Sequence, residues 1–187
     1  VRVPVSGPPI PFELHLGNLF LLWCMSANIN TYLVLPRQNY KTVSACAFYL
    51  WAFALASTNS HILFFNKALD DSKNNLKRVN ALKVELPQWM LVGIDDPVND
   101  LNNIEYAQSG HRKNRIDAKA PGRDPVPADK QGRGATSPMT WYDELSFMGY
   151  CRDTYMAAAP AGSQAKATAA KFGRPYGTTI TTTPNTI

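Results

Sequence analysis

Two long stretches of this chain, residues 14–36 and 42–66, contain no Asp, Glu, Lys or Arg. Segments of that length without charged side chains cannot lie open to water, so both must be buried. In the first, LHLGNLFLLWCMSANINTYLVL, Leu16, Leu19, Phe20 and Trp23 recur at helical spacing while Leu14, Leu21, Leu22 and Met25 fill other faces. That pattern predicts a helix that is apolar nearly all round and needs cover on several sides. The second, TVSACAFYLWAFALASTNSHILFF, interleaves Ala45, Ala47, Ala52, Ala54 and Ala56 with Phe48, Tyr49, Leu50, Trp51, Phe53 and Leu55. Small residues let neighbouring helices come close and the aromatics fill the gaps. Pro36 stops the first helix at or before Leu35, which leaves PRQNYK as the polar connection of an antiparallel helical hairpin. The fold class expected is mainly α: a buried apolar helical hairpin plus amphipathic helices, with long irregular arms.

The cover for this hairpin is either protein or lipid. The strict apolar run Val43 to Ala56 is of the length usual for a buried core helix, shorter than the ~20 residues of a membrane span. Ser57 to His61, and Asn28 with Asn30 in the first segment, interrupt with polar groups. Burial in protein is favoured, and a hairpin at 14–66 in a bilayer is the alternative.

The rest of the chain divides by composition. Residues 1–104 form a helical core segment, including an amphipathic helix over 66–84 with Leu69, Leu76, Val79 and Leu82 or Lys83 on one stripe. Asp70 and Asp71 near its start and Lys77, Arg78 and Lys83 near its end suit the helix dipole. Asp96-Pro97 resembles an N-cap followed by proline, opening a short helix through Ile104. Residues 105–140 are a polar, basic linker or arm with too few large apolar groups to offset their chain entropy. Residues 141–159 read as a further helix ended by Pro160, and 160–187 as an extended C-terminal arm. Trp141, Leu145, Met148, Phe172, Tyr176 and Ile180 are the candidate inter-subunit contacts of these last two segments.

Charge adds one hint about partners. The net charge is +5, and residues 105–187 hold eleven Lys/Arg against seven Asp/Glu, while 1–104 hold eight against seven. Arg112, Lys113 and Arg115 are the candidate polyanion contacts. The stretch around them lacks aromatics for base stacking, so any nucleic acid contact there is weak and unspecific.

No pattern for chemistry emerges. His15, His61 and His111 lie in separate segments, and neither GxxxxGK[ST], GxGxxG nor G-x-S-x-G occurs. Asp95, Asp96, Asn99 and Asp100 do not meet the spacing of a calcium loop. Cys24, Cys46 and Cys151 are odd in number and far apart, which predicts free thiols. The sequence therefore predicts no catalytic residue, no metal and no cofactor.

A non-enzymatic structural subunit of a large assembly accounts for these features, its partners being other protein subunits of that assembly. One version is a virus capsid protein or processed capsid fragment in the virion, favoured by the interrupted apolar runs, the Thr-rich tail and a first residue, Val1, that is not Met. The alternative is an accessory subunit of an organellar membrane complex.

Overall fold

The computed structural model describes residues 2–3, 10–91, 100–121 and 136–184. A small antiparallel pair, β1 (Arg2–Val3) with β2 (Ile10–Pro11), comes first. The chain continues through α1 (Leu16–Ser26), β3 (Thr31–Val34), α2 (Lys41–Trp51) with a π-helical turn over Ala52–Ala56, and β4 (His61–Asn66). Next come α3 (Leu69–Val84), the short α4 (Gln88–Leu91), β5 (Leu101–Asn102), β6 (Tyr106–Gln108) and β7 (Arg115–Lys119). The last elements are β8 (Met139–Asp143), a 3-10 turn at Leu145–Phe147, α5 (Cys151–Lys171) and β9 (Gly177–Thr182).

Seven strands form one mixed sheet in the order β3-β9-β8-β4-β7-β6-β5. The first five are mutually parallel, while β6 and β5 add an antiparallel edge. A parallel sheet is covered on both faces, which is why its strands read as unbroken apolar runs. In β4, Ile62 and Phe64 join the cluster under α1, α2 and α3 with Tyr49, Leu76, Ile116 and Trp141. Leu63 and Phe65 point the other way, to Tyr142, Met148, Cys151 and Ile180.

The chain is thus α/β, and the expectation of a mainly α fold is corrected. Of the two charge-free stretches, 42–66 is largely buried, as expected, but much of 14–36 is not: Leu16, Leu19, Phe20 and Trp23 of α1 are exposed. Each contains a helix and a strand rather than a helix alone. Helix α1 ends at Ser26, and Asn28 then takes a left-handed conformation (φ 58°), turning the chain into TYLV, a β-branched and aromatic run suited to a strand. The Asn28 and Asn30 side chains accept the backbone N–H groups of Tyr176 (2.9 Å) and Thr178 (2.8 Å), pinning this turn to the approach to β9. Asn59 (φ 52°) performs the same break before HILFF. No helix among the described residues is long and apolar enough to cross a membrane. The apolar faces of α2 are met by the sheet and by α1 and α3 instead.

The amphipathic helix is α3, with Ser72, Asn75, Leu76 and Val79 on its buried face. Elsewhere the expected elements differ from those observed. WYD, read as the start of the 141–159 helix, belongs to the interior strand β8, because its alternate residues are needed on both faces of the sheet. Pro160 lies inside α5, which continues to Lys171. The tail is no extended arm where it is described: GTTITT is β9, inserted between β3 and β8. The helix proposed from Asp96 to Ile104 falls partly outside the described residues, and Leu101–Asn102 form a strand. Asp95, Asp96 and Asn99 lie outside them, as do residues 122–135 of the basic stretch.

Candidate nucleotide-binding site

The site forms at the carboxyl ends of the parallel strands, where open α/β sheets hold ligands. Strand β3 ends at Val34, and the Leu35 N–H donates to the Thr182 carbonyl (3.1 Å), fixing the exit of the loop beside the end of β9. Residues 36–40 turn back into α2, with Gln38 (φ 66°) and Tyr40 (φ 52°) both left-handed. Tyr40 caps α2 without a side-chain hydrogen bond, so the first helical amides keep their donors free. A helix start of this kind, facing a cavity, is built to receive an anion.

The first two residues of α2 carry the charge. Lys41 is only 5% exposed and its Nζ lies 3.3 Å from Glu144 Oε1. Thr42 donates its hydroxyl to Asp143 Oδ2 (3.3 Å). Asp143 and Glu144 stand at the end of β8, and Glu144 is itself left-handed (φ 59°), turning its carboxylate toward the loop. Asp143 also accepts hydrogen bonds from Asn75 Nδ2 (3.0 Å), Thr181 Oγ1 (2.9 Å) and, at the limit of contact, Asn66 Nδ2 (3.5 Å). Thr181 is fixed by the indole N–H of Trp141 (2.9 Å). Glu144 accepts from Thr183 through both its hydroxyl (2.7 Å) and its N–H (3.2 Å). Burial pushes the Asp143 carboxyl up, and its hydrogen bonds with Asn75 and Thr181 reverse this only in part. Burial acts on Glu144 in the same sense, but Thr183 and Lys41 outweigh it and hold that carboxyl below its ordinary value.

Two adjoining hollows open here. One of about 310 Å³ is lined by Arg37, Gln38, Lys41, Thr42, Lys67 and Glu144, together with Phe147. The other, about 200 Å³, shares Thr42, Lys67 and Glu144 and reaches Asn75, Arg78 and Asp143. A larger cavity, about 670 Å³, lies at the opposite ends of the strands beside His61 and Phe172, remote from this convergence of charge.

A strand, a turn, then Lys-Thr at a helix start, with a carboxylate pair on a nearby strand, is the geometry of a phosphate-binding loop. The register explains why the sequence pattern did not reveal it. Counting back from Lys41-Thr42, the two glycines of GxxxxGK[ST] fall at Leu35 and Tyr40. Tyr40 adopts the left-handed conformation that glycine takes without strain. The available signal was Lys-Thr opening an otherwise uncharged helix, separated from TYLV by six residues, answered downstream by Asp-Glu directly after MTWY.

A divalent cation fits this donor set. The Thr42 hydroxyl and the buried Asp143 carboxylate converge on the cavity, and Mg²⁺ commonly takes one or two carboxylates plus substrate phosphates. Among the described residues there is no cluster of three or more His, Cys, Asp or Glu to hold a metal by protein ligands alone.

None of the candidate inter-subunit or polyanion contacts singled out from sequence lines this site. Trp141 is fully buried between Tyr49 and Phe64, and supports the site only through Thr181. Leu145, Met148 and Ile180 meet in the cluster beneath α5. Tyr176 is half-buried beside Asn28, and Phe172 is 68% exposed at the end of α5. Arg112 and Lys113 lie in the β6–β7 turn, and Arg115 pairs with Asp117 (2.6 Å) over the Tyr106 ring (4.3 Å). His61 also contacts Asp117 (2.9 Å). Cys24, Cys46 and Cys151 are free thiols, and burial pushes that of Cys46 far up.

No protein-family model and no curated protein sequence matches the chain. Its fold matches solved structures. The large terminase of bacteriophage HK97 is similar over 95% of this chain and 34% of that one, with TM-score 0.61 and 12% identity. The large terminase ATPase domain of Thermus phage P74-26 is similar over 94% of this chain and 67% of that one, with TM-score 0.54 and 16% identity. The large terminase of a thermophilic bacteriophage in complex with ADP is similar over 92% and 39%, with TM-score 0.55 and 14% identity. The chain spans about a third of the length of the HK97 protein. At these identities the shared property is the fold. Two expectations are nonetheless corrected. The neighbours that share the fold are terminases, not capsid-shell proteins, and among them are an ATPase domain and a complex with ADP, so the fold speaks against the expected capsid and non-enzymatic readings. These neighbours are themselves bacteriophage proteins.

Proposed function

We propose that this chain binds and hydrolyses ATP as the motor part of a phage large terminase, driving DNA packaging. The observation that carries the reading is the meeting of Lys41 and Thr42, at the start of α2, with Glu144 and Asp143, at the end of β8, across one cavity. The free amides of the 37–42 turn cradle the phosphates, and Lys41 exchanges Glu144 for a terminal phosphate oxygen. Thr42 and Asp143 would hold Mg²⁺, which when bound neutralises charge on the β- and γ-phosphate oxygens.

Glu144, released from Lys41 but still held by Thr183, orients a water molecule toward the γ-phosphorus. The new P–O bond forms as the bond to the β–γ bridging oxygen breaks. ADP takes that electron pair, and Glu144 accepts the proton of the attacking water. The parallel-sheet fold and its likeness to ATPase domains support the assignment of ATP as the substrate. DNA and the other proteins of the packaging apparatus are the partners in this reading.

Lys41→Ala tests it. The expected result is loss of ATP binding in calorimetry and at least about a hundredfold slower hydrolysis, the scale for removing a charge-stabilising donor. A wild-type chain that binds no ATP, or a Lys41→Ala chain that hydrolyses it normally, sinks the proposal.

A further inference from the structure

The Asp143 carboxylate is held by α3 as well as by the elements of the phosphate loop, and that contact is oriented. Asn75 is 1% exposed, its Nδ2 donates to Asp143 Oδ2 (3.0 Å), and its Oδ1 accepts from Arg78 Nη1 (2.7 Å). An asparagine amide can be turned end for end, but here only one orientation is tolerable. The reverse would set Oδ1 against a carboxylate and the NH₂ against a guanidinium, losing both hydrogen bonds and adding two repulsions. Arg78 therefore dictates which end of Asn75 faces Asp143.

The same oxygen, Oδ2, also receives the Thr42 hydroxyl, while Oδ1 is tied to Thr181. With one oxygen anchored from β9 and the other held between α2 and α3, the carboxylate plane cannot rotate. Among the described residues Asp143 has no direct ion pair, so its nearest neighbours are neutral donors and no lysine or arginine competes for it. Arg78 contributes its positive charge one step removed, through the amide of Asn75.

We propose that Asn75 and Arg78 are positioning residues that fix the Asp143 carboxylate in the orientation needed to receive a divalent cation beside Thr42. This rests on the phosphate-loop reading of the site. It assigns a role to α3, an element that contributes neither to the turn nor to the carboxylate pair. Partners one step outside the ligand sphere commonly set metal affinity by about ten- to a hundredfold.

The test compares the full wild-type chain with Asn75→Leu, which keeps the volume and removes both polar ends, and with Arg78→Met at the exposed helix face. Two quantities are measured: Mn²⁺ affinity in the presence of ADP, by electron paramagnetic resonance, and affinity for fluorescent ATP in EDTA. The expected result for Asn75→Leu is Mn²⁺ affinity weakened about tenfold or more, with metal-free nucleotide affinity unchanged. Arg78→Met should move in the same direction by less. A Mn²⁺ affinity equal to wild type, or equal losses with and without metal, overturns the proposal, because a merely structural residue affects both alike. If Asn75→Leu does not fold, the decision falls to Arg78→Met, and an unchanged Mn²⁺ affinity there overturns the proposal as well. A wild-type chain that binds no nucleotide under either condition refutes the phosphate-loop reading itself, and the positioning role with it. A wild type that binds normally isolates the question to α3.

Discussion

The two ends of the parallel strands make an instructive contrast. At the amino ends lies a hollow of about 670 Å³, lined by Ser60, His61, Gln164, Phe172 and Arg174 among others. Its two polar ring and guanidinium groups are already engaged: His61 contacts Asp117, which lies outside the hollow and also pairs with Arg115, and Arg174 donates to the Ala56 carbonyl (3.2 Å). At the carboxyl ends the hollows are smaller, yet Asp143 is buried with only neutral donors, and Lys41 and Glu144 satisfy each other in a way a phosphate can displace. The difference teaches that volume is a poor guide to function here. What marks a site is charge whose present partner can be exchanged.

Replacing Glu144 by Gln should break the contrast most sharply. Lys41 then loses its ionic partner, so ATP binding should tighten or hold while single-turnover hydrolysis falls by about a hundred- to ten-thousandfold. A variant with wild-type turnover would show that the carboxylate is not the group that handles water. Trp141→Ala removes the buried indole that supports Thr181 at the carboxyl end, and should cost about 3–5 kcal/mol in denaturant unfolding. A loss of that size is absent only if the indole is not packed as described.

The amino end should respond to acid. Burial alone would push the Asp117 carboxyl up, but its bonds to His61 and Arg115 hold it below the usual carboxylate value. A folded value below the unfolded one, about 3.9, means that this carboxylate contributes stability above that pH. The contribution fades as pH falls through the lower, folded value. Wild type should therefore exceed Asp117→Asn in stability at neutral pH, and the gap should close in strong acid. A gap that does not vary with pH would mean the ionised form is not what matters. Phe172→Ala, at the exposed rim of the larger hollow, should change stability by no more than about 0.5 kcal/mol and leave ATP turnover intact. A large effect on turnover would mean that the two ends communicate.

Much of the packing was legible in the sequence, and little of the chemistry was. The uncharged stretch 42–66 announced burial, whereas the equally uncharged 14–36 leaves Leu16, Phe20 and Trp23 exposed; α3 follows the predicted periodicity, with acidic residues in its first turn and Lys83 in its last. The strands were missed because short apolar runs such as HILFF lack the length or alternation that separates strand from helix. Within GTTITT, polarity itself misled. Threonine is β-branched and suits a strand, and its hydroxyl can be buried when a partner is supplied, as Asp143 does for Thr181 and Ser146 for Thr182. Those partners lie more than thirty residues away, out of reach of any local pattern.

The left-handed Tyr40 has a consequence for how such a loop can evolve. A tyrosine in that conformation costs roughly 1–2 kcal/mol more than a glycine, a debt small enough for a well-packed fold to carry. The loop's shape is therefore inherited through its surroundings, the end of β9 on one side and the start of α2 on the other, and the glycines become optional spelling. A chain with this scaffold can carry residues other than glycine in the turn ahead of Lys41 and Thr42, here Leu35 and Tyr40.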